Sequence, residues 1–118
     1  MGNKILVIDD DPGILEALTL TLEVYGYSVE TASSLKEVYE KIAKINPSLI
    51  LLDVLLSGID GRDICRKLKS NGKKAIPIIM ISAHPDVEKS VHDAGADAFI
   101  SKPFEMNDLL AKIQAFSN

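Results

Sequence analysis

Cysteine and long apolar runs are almost absent from this sequence. The chain has one cysteine, Cys65, among 118 residues, so it cannot form an internal disulfide. This is typical of a reducing compartment, and we expect a cytoplasmic protein. Cys65 lies beside Ile64 and Leu68 in a helical pattern, which favours a packing role. No apolar run approaches the roughly 20 residues of a membrane span. Only four apolar residues separate Lys4 from Asp9, which predicts no signal peptide.

Clustered positive charge is scarce as well. The chain has 13 Lys and Arg against 17 Asp and Glu, a net charge of -4. The longest basic run is Lys73-Lys74, in a glycine-containing turn that is best explained as a solvated loop. Nucleic acids and anionic membranes are bound by clustered Lys and Arg, so we expect neither as a direct partner. The hydrophobic fraction of 47% is ordinary for a folded protein, and the length suits one domain with a real core.

Strand-like apolar runs alternate with amphipathic helical patterns along the chain. The predicted strands are residues 4–8, 27–31, 49–52, 76–81 and 97–101, and the predicted helices are 12–25, 34–44, 60–70, 85–93 and 105–116. Such alternation predicts a parallel sheet with right-handed crossovers. The first, third and fourth strands are apolar on both faces and should be central, whereas the amphipathic second strand should lie at an edge. Ser34 and Glu37 form a predicted capping box.

Polar residues follow four of these strands directly. They are Asp9, Asp10 and Asp11 after the first strand, Asp53 after the third, Ser82 after the fourth and Lys102 after the fifth. Parallel strands bring their carboxyl ends to one edge of a sheet, where open α/β sheets bind ligands. These residues, which are far apart in sequence, are therefore candidates for one site.

The acidic residues suggest a divalent cation. Neighbouring carboxylates repel one another, so Asp9, Asp10 and Asp53 would be costly to gather without a metal. Mg²⁺ prefers carboxylate oxygens together with retained waters. The alternative is that the acids merely cap the first helix. We favour that role for Asp11, because Pro12 follows it, but capping accounts for at most one of the first two acids.

Asp53, Ser82 and Lys102 suggest phosphoryl chemistry. A carboxylate beside a metal can attack phosphorus, and an acid at the centre of a sheet is expensive unless it is partnered. A hydroxyl and an ammonium suit the oxygens of a transferred phosphoryl group. Taken singly, Ser82 could instead cap the following helix, and Lys102 could be a solvated surface residue. Pro103 after Lys102 fixes the turn and can adopt a cis bond.

Four segments resemble the receiver domains of response regulators in two-component signalling. They are ILVIDDD, LILLDVLLSGIDG, IPIIMISA and GADAFISKPF, and the resemblance covers essentially the whole chain. It implies one receiver domain over residues 1–118. The implied α/β fold is doubly wound and flavodoxin-like, a five-stranded parallel sheet of order 2-1-3-4-5 with helices on both faces.

The resemblance also implies a role for each residue. Asp53 is the phospho-acceptor. Mg²⁺ (or Mn²⁺) is held by Asp9, Asp10 and Asp53 with the backbone carbonyl of Leu55, and Asp10 is favoured over Asp9 as a direct ligand. The switch residues are Ser82, which senses the phosphoryl group, and Phe99, whose ring turns inward. Lys102 contacts the phosphoryl group, and Lys102-Pro103 is the family's usual cis peptide.

As a receiver, the chain would be a switch rather than an enzyme, catalysing only its own phosphorylation and dephosphorylation. A sensor histidine kinase or phosphotransfer protein, or a small acyl phosphate, would donate to Asp53. The surface of the fourth helix, fifth strand and fifth helix would then change for a downstream output protein or domain, and a phosphorylation-dependent homodimer is allowed. The last helix lacks arginine, which argues against the charged dimer interface of one DNA-binding subfamily.

The chain departs from the family pattern at several positions. Ser57 stands where the family commonly has proline, which predicts a looser loop. Leu55 and His84 occupy positions that tune the dephosphorylation rate, so the phosphoryl lifetime stays open. Phe99 lacks the hydroxyl of the commoner tyrosine, so its burial need not await a hydrogen-bond partner.

Other functions fit the sequence less well. An aspartyl phosphatase commonly has a second acid two residues after its nucleophile, where this chain has Leu55. A flavodoxin-type cofactor binder would want a Ser/Thr/Gly-rich loop where three aspartates stand. A degenerate receiver that only binds partners would not need the complete residue set. A zinc site at His84 and His92 is disfavoured, because the second lies in a surface helix, and no Walker-type GK[ST] occurs.

Overall fold

Strands and helices alternate along the chain as its patterns predict. The computed structural model describes residues 4–70 and 76–116. The strands are β1 Lys4–Ile8, β2 Ser28–Ala32, β3 Leu49–Asp53, β4 Ile78–Ser82 and β5 Ala98–Ser101. The helices are α1 Pro12–Val24, α2 Leu35–Ile45, α3 Gly61–Ser70, α4 Glu88–Asp93 and α5 Met106–Phe116. A 3₁₀ turn, Pro85–Val87, precedes α4, and a short antiparallel hairpin of Leu55–Leu56 with Ile59–Asp60 connects β3 to α3.

The five strands form one parallel sheet in the order β2-β1-β3-β4-β5. This order confirms the predicted topology, including the amphipathic second strand at one edge. The register places Ile8 opposite both Ala32 and Leu52, and Asp53 opposite Ile81. The strands therefore end at nearly the same level, so that residues just beyond them share one edge.

The core is divided into two layers by the sheet. Alternate strand residues such as Leu6, Leu52 and Met80 pack against α2, α3 and α4, and the intervening residues pack against α1 and α5. Strand β3 is buried along its whole length, as its unbroken apolar run predicts. Helices therefore cover both faces, leaving the strand ends as the place where polar groups can converge. No helix in the described ranges is long and apolar enough to cross a membrane.

Most predicted boundaries differ from the structure by one or two residues, and three of the differences change how a residue or an element is described. The strand predicted at 76–81 is shifted to 78–82, so that Ser82 is its last residue rather than the first residue beyond it. The helix predicted at 85–93 is divided into a 3₁₀ turn and the short α4. Helix α3 begins at Gly61, because Asp60 pairs with Leu55 in the hairpin, which was not predicted. The Lys73-Lys74 run and its glycine-containing turn lie outside the described residues.

The helix caps explain where α1 and α2 begin. The Asp11 carboxylate accepts hydrogen bonds from the N–H groups of Gly13 (2.9 Å) and Ile14 (3.4 Å), which confirms it as the α1 cap. Ser34 caps α2 by accepting from the Glu37 N–H at 3.3 Å. The returning carboxylate of Glu37, however, accepts from both the N–H and the hydroxyl of Ser33. The second hydrogen bond of the predicted capping box is therefore made with Ser33 instead of Ser34.

Candidate functional site

Three polar side chains are buried at the carboxyl edge of the sheet. Asp53 ends β3, Ser82 ends β4, and Asp9 follows β1; their exposed fractions are 9%, 3% and 4%. No other polar or charged residue in 4–70 and 76–116 is as deeply buried. Polar groups are buried at a cost unless they are partnered. Their concentration at this one edge marks it as the candidate functional site.

Lys102 joins two of these carboxylates. Its Nζ lies 3.1 Å from Asp53 Oδ1 and 3.5 Å from Asp9 Oδ2. The residue follows β5, and its backbone N–H donates to the carbonyl of Ser82, which fixes it beside β4. Lys102 is itself only about a quarter exposed. One ammonium thus serves two buried carboxylates, and the group of three carries an excess negative charge.

The pKa shifts follow from this arrangement. Burial raises the pKa of Asp53, the hydrogen bond and charge of Lys102 lower it, the charge of Asp9 raises it further, and the net direction is upward. The backbone N–H of Leu55 also lowers the pKa of Asp53. Burial alone would lower the pKa of Lys102, but its contacts with Asp53 and Asp9 raise it overall. Lys102 is therefore held in its charged form, while ionised Asp53 is incompletely compensated.

Asp10 lies outside this group. Its side chain is exposed, and its Oδ2 accepts two hydrogen bonds from Ser57, one from the N–H (2.9 Å) and one from the hydroxyl (2.6 Å). These bonds lower the pKa of Asp10. Ser57 lies in the turn of the hairpin, next to Gly58, whose φ of 72° suits glycine. The sequence predicts a loosened loop at Ser57, but the structure shows this residue tied to the acidic pair.

The donor set fits Mg²⁺ better than a metal that needs a full protein cage. The described residues contain no group of three or more His, Cys, Asp and Glu side chains arranged to hold a metal. Asp9 and Asp53 nevertheless face the same ammonium and repel each other. Mg²⁺ usually takes one or two carboxylates and keeps several waters, so the excess negative charge here suits it. His92, one of the two histidines of the disfavoured zinc alternative, contacts Glu88 at 3.6 Å.

A small cleft opens beside Asp53. It has a volume of about 80 Å³ and is lined by Asp53, Leu55, Ser82, Ala83, His84 and Lys102. The Ser82 hydroxyl accepts a hydrogen bond from the His84 N–H at 2.9 Å, and no side chain caps the 3₁₀ turn that follows. Ser82 is therefore not a helix cap, and its O–H can still donate. The carboxylate, the hydroxyl and the ammonium line one space.

Gly61 is a further site residue, which the sequence reasoning missed. Its N–H donates to the carbonyl of Val54 at 2.6 Å, which anchors the start of α3 behind Asp53. A Cβ at this position would overlap the carbonyl oxygen of Asp53 and press on Met80 Cε. The glycine that follows Asp60 was the available signal, since close backbone approach is one reason for glycine at a strand-to-helix junction.

Phe99 lies between the site and the surface. It is paired with Met80 in the sheet and packs in the layer of α4, with 9% of its surface exposed. The same ring lines a surface groove of about 550 Å³ between α4 and α5. The Lys102-Pro103 peptide bond is cis. Strand β5 therefore carries both Phe99 and, just past its end, the ammonium of the site.

The remaining residues singled out by sequence have structural contacts. Cys65 is fully buried, and burial raises the pKa of its thiol to about 11. Arg62 forms a two-pronged ion pair with Asp60 and also donates to the Ser90 hydroxyl of α4 at 2.8 Å. The Arg62–Ser90 contact joins α3 to α4, and no local pattern in the sequence predicts it.

A family comparison agrees with this arrangement. The model of the response regulator receiver domain matches residues 5–114. The chain belongs to the response regulator receiver domain family. This is the family to which its sequence motifs point, and its members are regulatory modules of two-component systems rather than classical enzymes.

Relatives of known sequence and structure support the assignment. Response regulator MprA of Mycolicibacterium vanbaalenii is 40% identical over 117 residues, which are 98% of this chain and 50% of that protein. The Mycobacterium leprae protein of the same name is 40% identical over 114 residues, 95% of this chain and 50% of that protein. This receiver chain spans about half the length of these curated relatives.

Solved receiver structures share the fold over nearly the full chain. A putative response regulator from Chloroflexus aurantiacus superposes with a TM-score of 0.91 at 32% identity, covering 98% of both chains. Chemotaxis protein CheY4 of Vibrio cholerae gives 0.90 at 28% identity, covering 99% of this chain and 100% of that one. The BeF3-activated N-terminal receiver domain of Klebsiella pneumoniae RstA gives 0.88 at 28%, covering 97% of each. Receiver domains typically bind Mg²⁺. Membership of the response regulator family implies a histidine kinase and an output partner.

Proposed function

We propose that this receiver domain accepts a phosphoryl group on Asp53 in a Mg²⁺-dependent reaction. The donor is a sensor histidine kinase, a phosphotransfer protein or a small acyl phosphate. The observation that carries the proposal is the position of Lys102, whose Nζ lies 3.1 Å from Asp53 Oδ1 beside the cleft that Ser82 also lines. A carboxylate nucleophile with an ammonium and a hydroxyl beside it matches the needs of phosphoryl transfer.

In the transfer, an Asp53 carboxylate oxygen forms the bond to phosphorus while the bond from phosphorus to the donor's nitrogen or oxygen breaks. Lys102 binds a phosphoryl oxygen, and the hydroxyl of Ser82 donates to another. Asp9, Asp10, Asp53 and the Leu55 carbonyl would hold Mg²⁺ (or Mn²⁺), which supplies positive charge between the carboxylates and the incoming group. The two buried carboxylates of Asp9 and Asp53, which share the single ammonium of Lys102, support a cation at this position.

Hydrolysis at the same site removes the phosphoryl group: water attacks phosphorus, the bond from phosphorus to the Asp53 oxygen breaks, and inorganic phosphate leaves. Leu55 and His84 line the cleft beside Asp53, and the Leu55 side chain is 57% exposed. Leu55 provides no general acid two residues after Asp53, so the domain hydrolyses its own aspartyl phosphate without becoming a phosphatase for other substrates. The two residues set the access of water and thereby the lifetime of the phosphorylated state.

The signal leaves the site through β5. When Ser82 moves toward the phosphoryl group, Phe99 repacks inward and the groove between α4 and α5 changes shape. A downstream output protein or domain, or a second copy of the domain, reads this surface formed by α4, β5 and α5. The domain works in the cytoplasm as one receiver unit over residues 1–118.

Intact-mass spectrometry after incubation with acetyl phosphate and MgCl₂ tests the chemistry. The wild-type protein gains one phosphoryl adduct, and Asp53→Asn gains none. Asp63→Asn, which removes an exposed carboxylate on α3, is the matched control and keeps the wild-type yield. An undiminished adduct in Asp53→Asn, or in wild-type protein treated with EDTA, contradicts the proposal.

A further inference from the structure

The two acids that follow β1 have different partners. Asp9 is buried and lies 3.5 Å from Lys102, whereas Asp10 is exposed and accepts both hydrogen bonds of Ser57 on its Oδ2. The contact joins residues 47 positions apart, so it ties the end of β1 to the hairpin after β3. Since Asp10 is the favoured direct Mg²⁺ ligand, its hydrogen bonds with Ser57 bear on metal binding.

Both hydrogen bonds from Ser57 end on one carboxylate oxygen. A carboxylate oxygen offers about two lone-pair positions, so the N–H and the hydroxyl together engage Oδ2 fully. The described residues also contain no group of three acids already arranged around a metal. Asp10 is therefore held at the hairpin through its Oδ2.

We propose that Ser57 is a positioning residue that holds Asp10 at the hairpin turn, so that Mg²⁺ binding through Oδ2 competes with these two hydrogen bonds. This inference rests on the proposed function, because it concerns the same Mg²⁺ site. Ser57 thereby weakens the affinity for Mg²⁺ and makes phosphorylation more dependent on its concentration.

The chemistry of position 57 explains why this device is particular to the chain. Proline, which the family commonly has here, carries neither an N–H nor a hydroxyl, so it can make neither bond to Asp10. Alanine removes only the hydroxyl bond of 2.6 Å and leaves the N–H. Threonine keeps both donors. The three substitutions therefore form a graded series in the number of donors offered to Asp10.

Titration of the ¹⁵N-labelled domain with MgCl₂, followed by amide chemical shifts near Asp10 and Asp53, measures the Mg²⁺ dissociation constant. We expect Ser57→Ala to bind Mg²⁺ about fivefold more tightly, since one of the two hydrogen bonds that compete with the metal for Asp10 Oδ2 is lost. Ser57→Pro should bind more tightly still. Ser57→Thr should restore the wild-type constant, which a merely structural role for the hydroxyl would not require.

Two controls separate the exchange from general effects. Ser33→Ala removes a hydroxyl that, together with its own N–H, donates to one oxygen of Glu37 in the same pattern. It lies beyond the edge strand β2 and should leave the Mg²⁺ constant unchanged. In an Asp10→Ala background, Ser57→Ala should also have no effect on the constant, because no side-chain oxygen is left at position 10 for Ser57 to bind.

The outcomes that overturn the inference are distinct from those that overturn the proposed function. An unchanged or weaker Mg²⁺ constant in Ser57→Ala, beside normal phosphorylation of Asp53, overturns the inference alone; weaker binding would mean that Ser57 preorganises the ligand instead. No Mg²⁺ binding by the wild-type domain, together with no adduct on Asp53, overturns both.

Discussion

Asp9 and Asp10 are neighbours in sequence, yet they lie in different electrostatic environments. Asp9 is 4% exposed and shares an ammonium with Asp53, whereas Asp10 is exposed and is bound by a serine. The buried pair, Asp9 and Asp53, shares the one positive charge of Lys102, which is too little to compensate both carboxylates. The exposed Asp10 accepts hydrogen bonds from neutral donors, and its pKa is lowered. Consecutive acids can therefore have different partners and different degrees of burial, because the direction of each side chain alternates at the end of a strand.

The largest effect is expected where the buried region has no room to adjust. Gly61→Ala places a Cβ against the carbonyl of Asp53, and we expect a loss of roughly 2–3 kcal/mol in the free energy of unfolding, as for overpacked cores. Urea denaturation measures it. Gly13→Ala in α1, where the Cβ meets only the Asp11 carboxylate at 3.3 Å, is the control and should change stability by less than about 1 kcal/mol. Equal losses of stability in the two variants would show that the end of β3 moves to make room for the added methyl group.

Neutralising Asp53 and neutralising Asp10 should change Tm in opposite directions. In EDTA, we expect Asp53→Asn to raise Tm by a few degrees, because the raised pKa means that the folded state disfavours the charge. Asp10→Asn should lower Tm slightly, because the pKa of Asp10 is lowered by its hydrogen bonds. Thermal melts compare the two variants with the wild-type protein.

The pH dependence provides the sign test for Asp53. A group whose pKa is raised on folding stabilises the folded state below its unfolded pKa, and that contribution is lost as pH rises through the folded pKa. The wild-type protein should therefore lose more stability than Asp53→Asn as pH rises from about 4 to 7. Parallel Tm curves for the two proteins would contradict the claim that burial dominates at Asp53.

A smaller effect should distinguish a half-buried ion pair from an exposed one. Arg62→Lys loses the two-pronged contact with Asp60 and the bond to Ser90, and we expect a loss of about 1 kcal/mol. Arg66→Lys disturbs only the pair with Asp63, whose side chain is 68% exposed, and should change little. Urea denaturation of both variants tests the difference, and equal losses would remove the distinction.

The smallest expected effect is an absence of reaction. Cys65 is buried like Asp53 but lies in the apolar layer, and the pKa of its thiol is raised to about 11. Iodoacetamide at about pH 8 should therefore leave the native thiol unmodified over hours and label it within minutes in urea. Mass spectrometry measures the adduct. Fast labelling of the native protein would show that this layer opens readily.

Much of the architecture was predictable from local pattern. The unbroken apolar run of β3 required burial on both faces, and alternation with amphipathic helices required a parallel sheet. Asp11 before Pro12 predicted the α1 cap, which is a local interaction and needs no knowledge of the fold. The hairpin after β3 was missed, because two-residue strands carry too little periodicity to be recognised.

The sequence by itself determined which polar residues would reach the carboxyl edge of the sheet, because strand ends follow from apolar periodicity. Only the tertiary structure decided their partners. Lys102 lies between Asp9 and Asp53, Ser57 binds Asp10, and Arg62 reaches Ser90. Each of these contacts joins distant parts of the chain. It forms only because the neighbouring strands, helices and hairpin end at matching positions along the sheet. Such contacts are set by the packing of whole layers, which no local pattern of residues encodes.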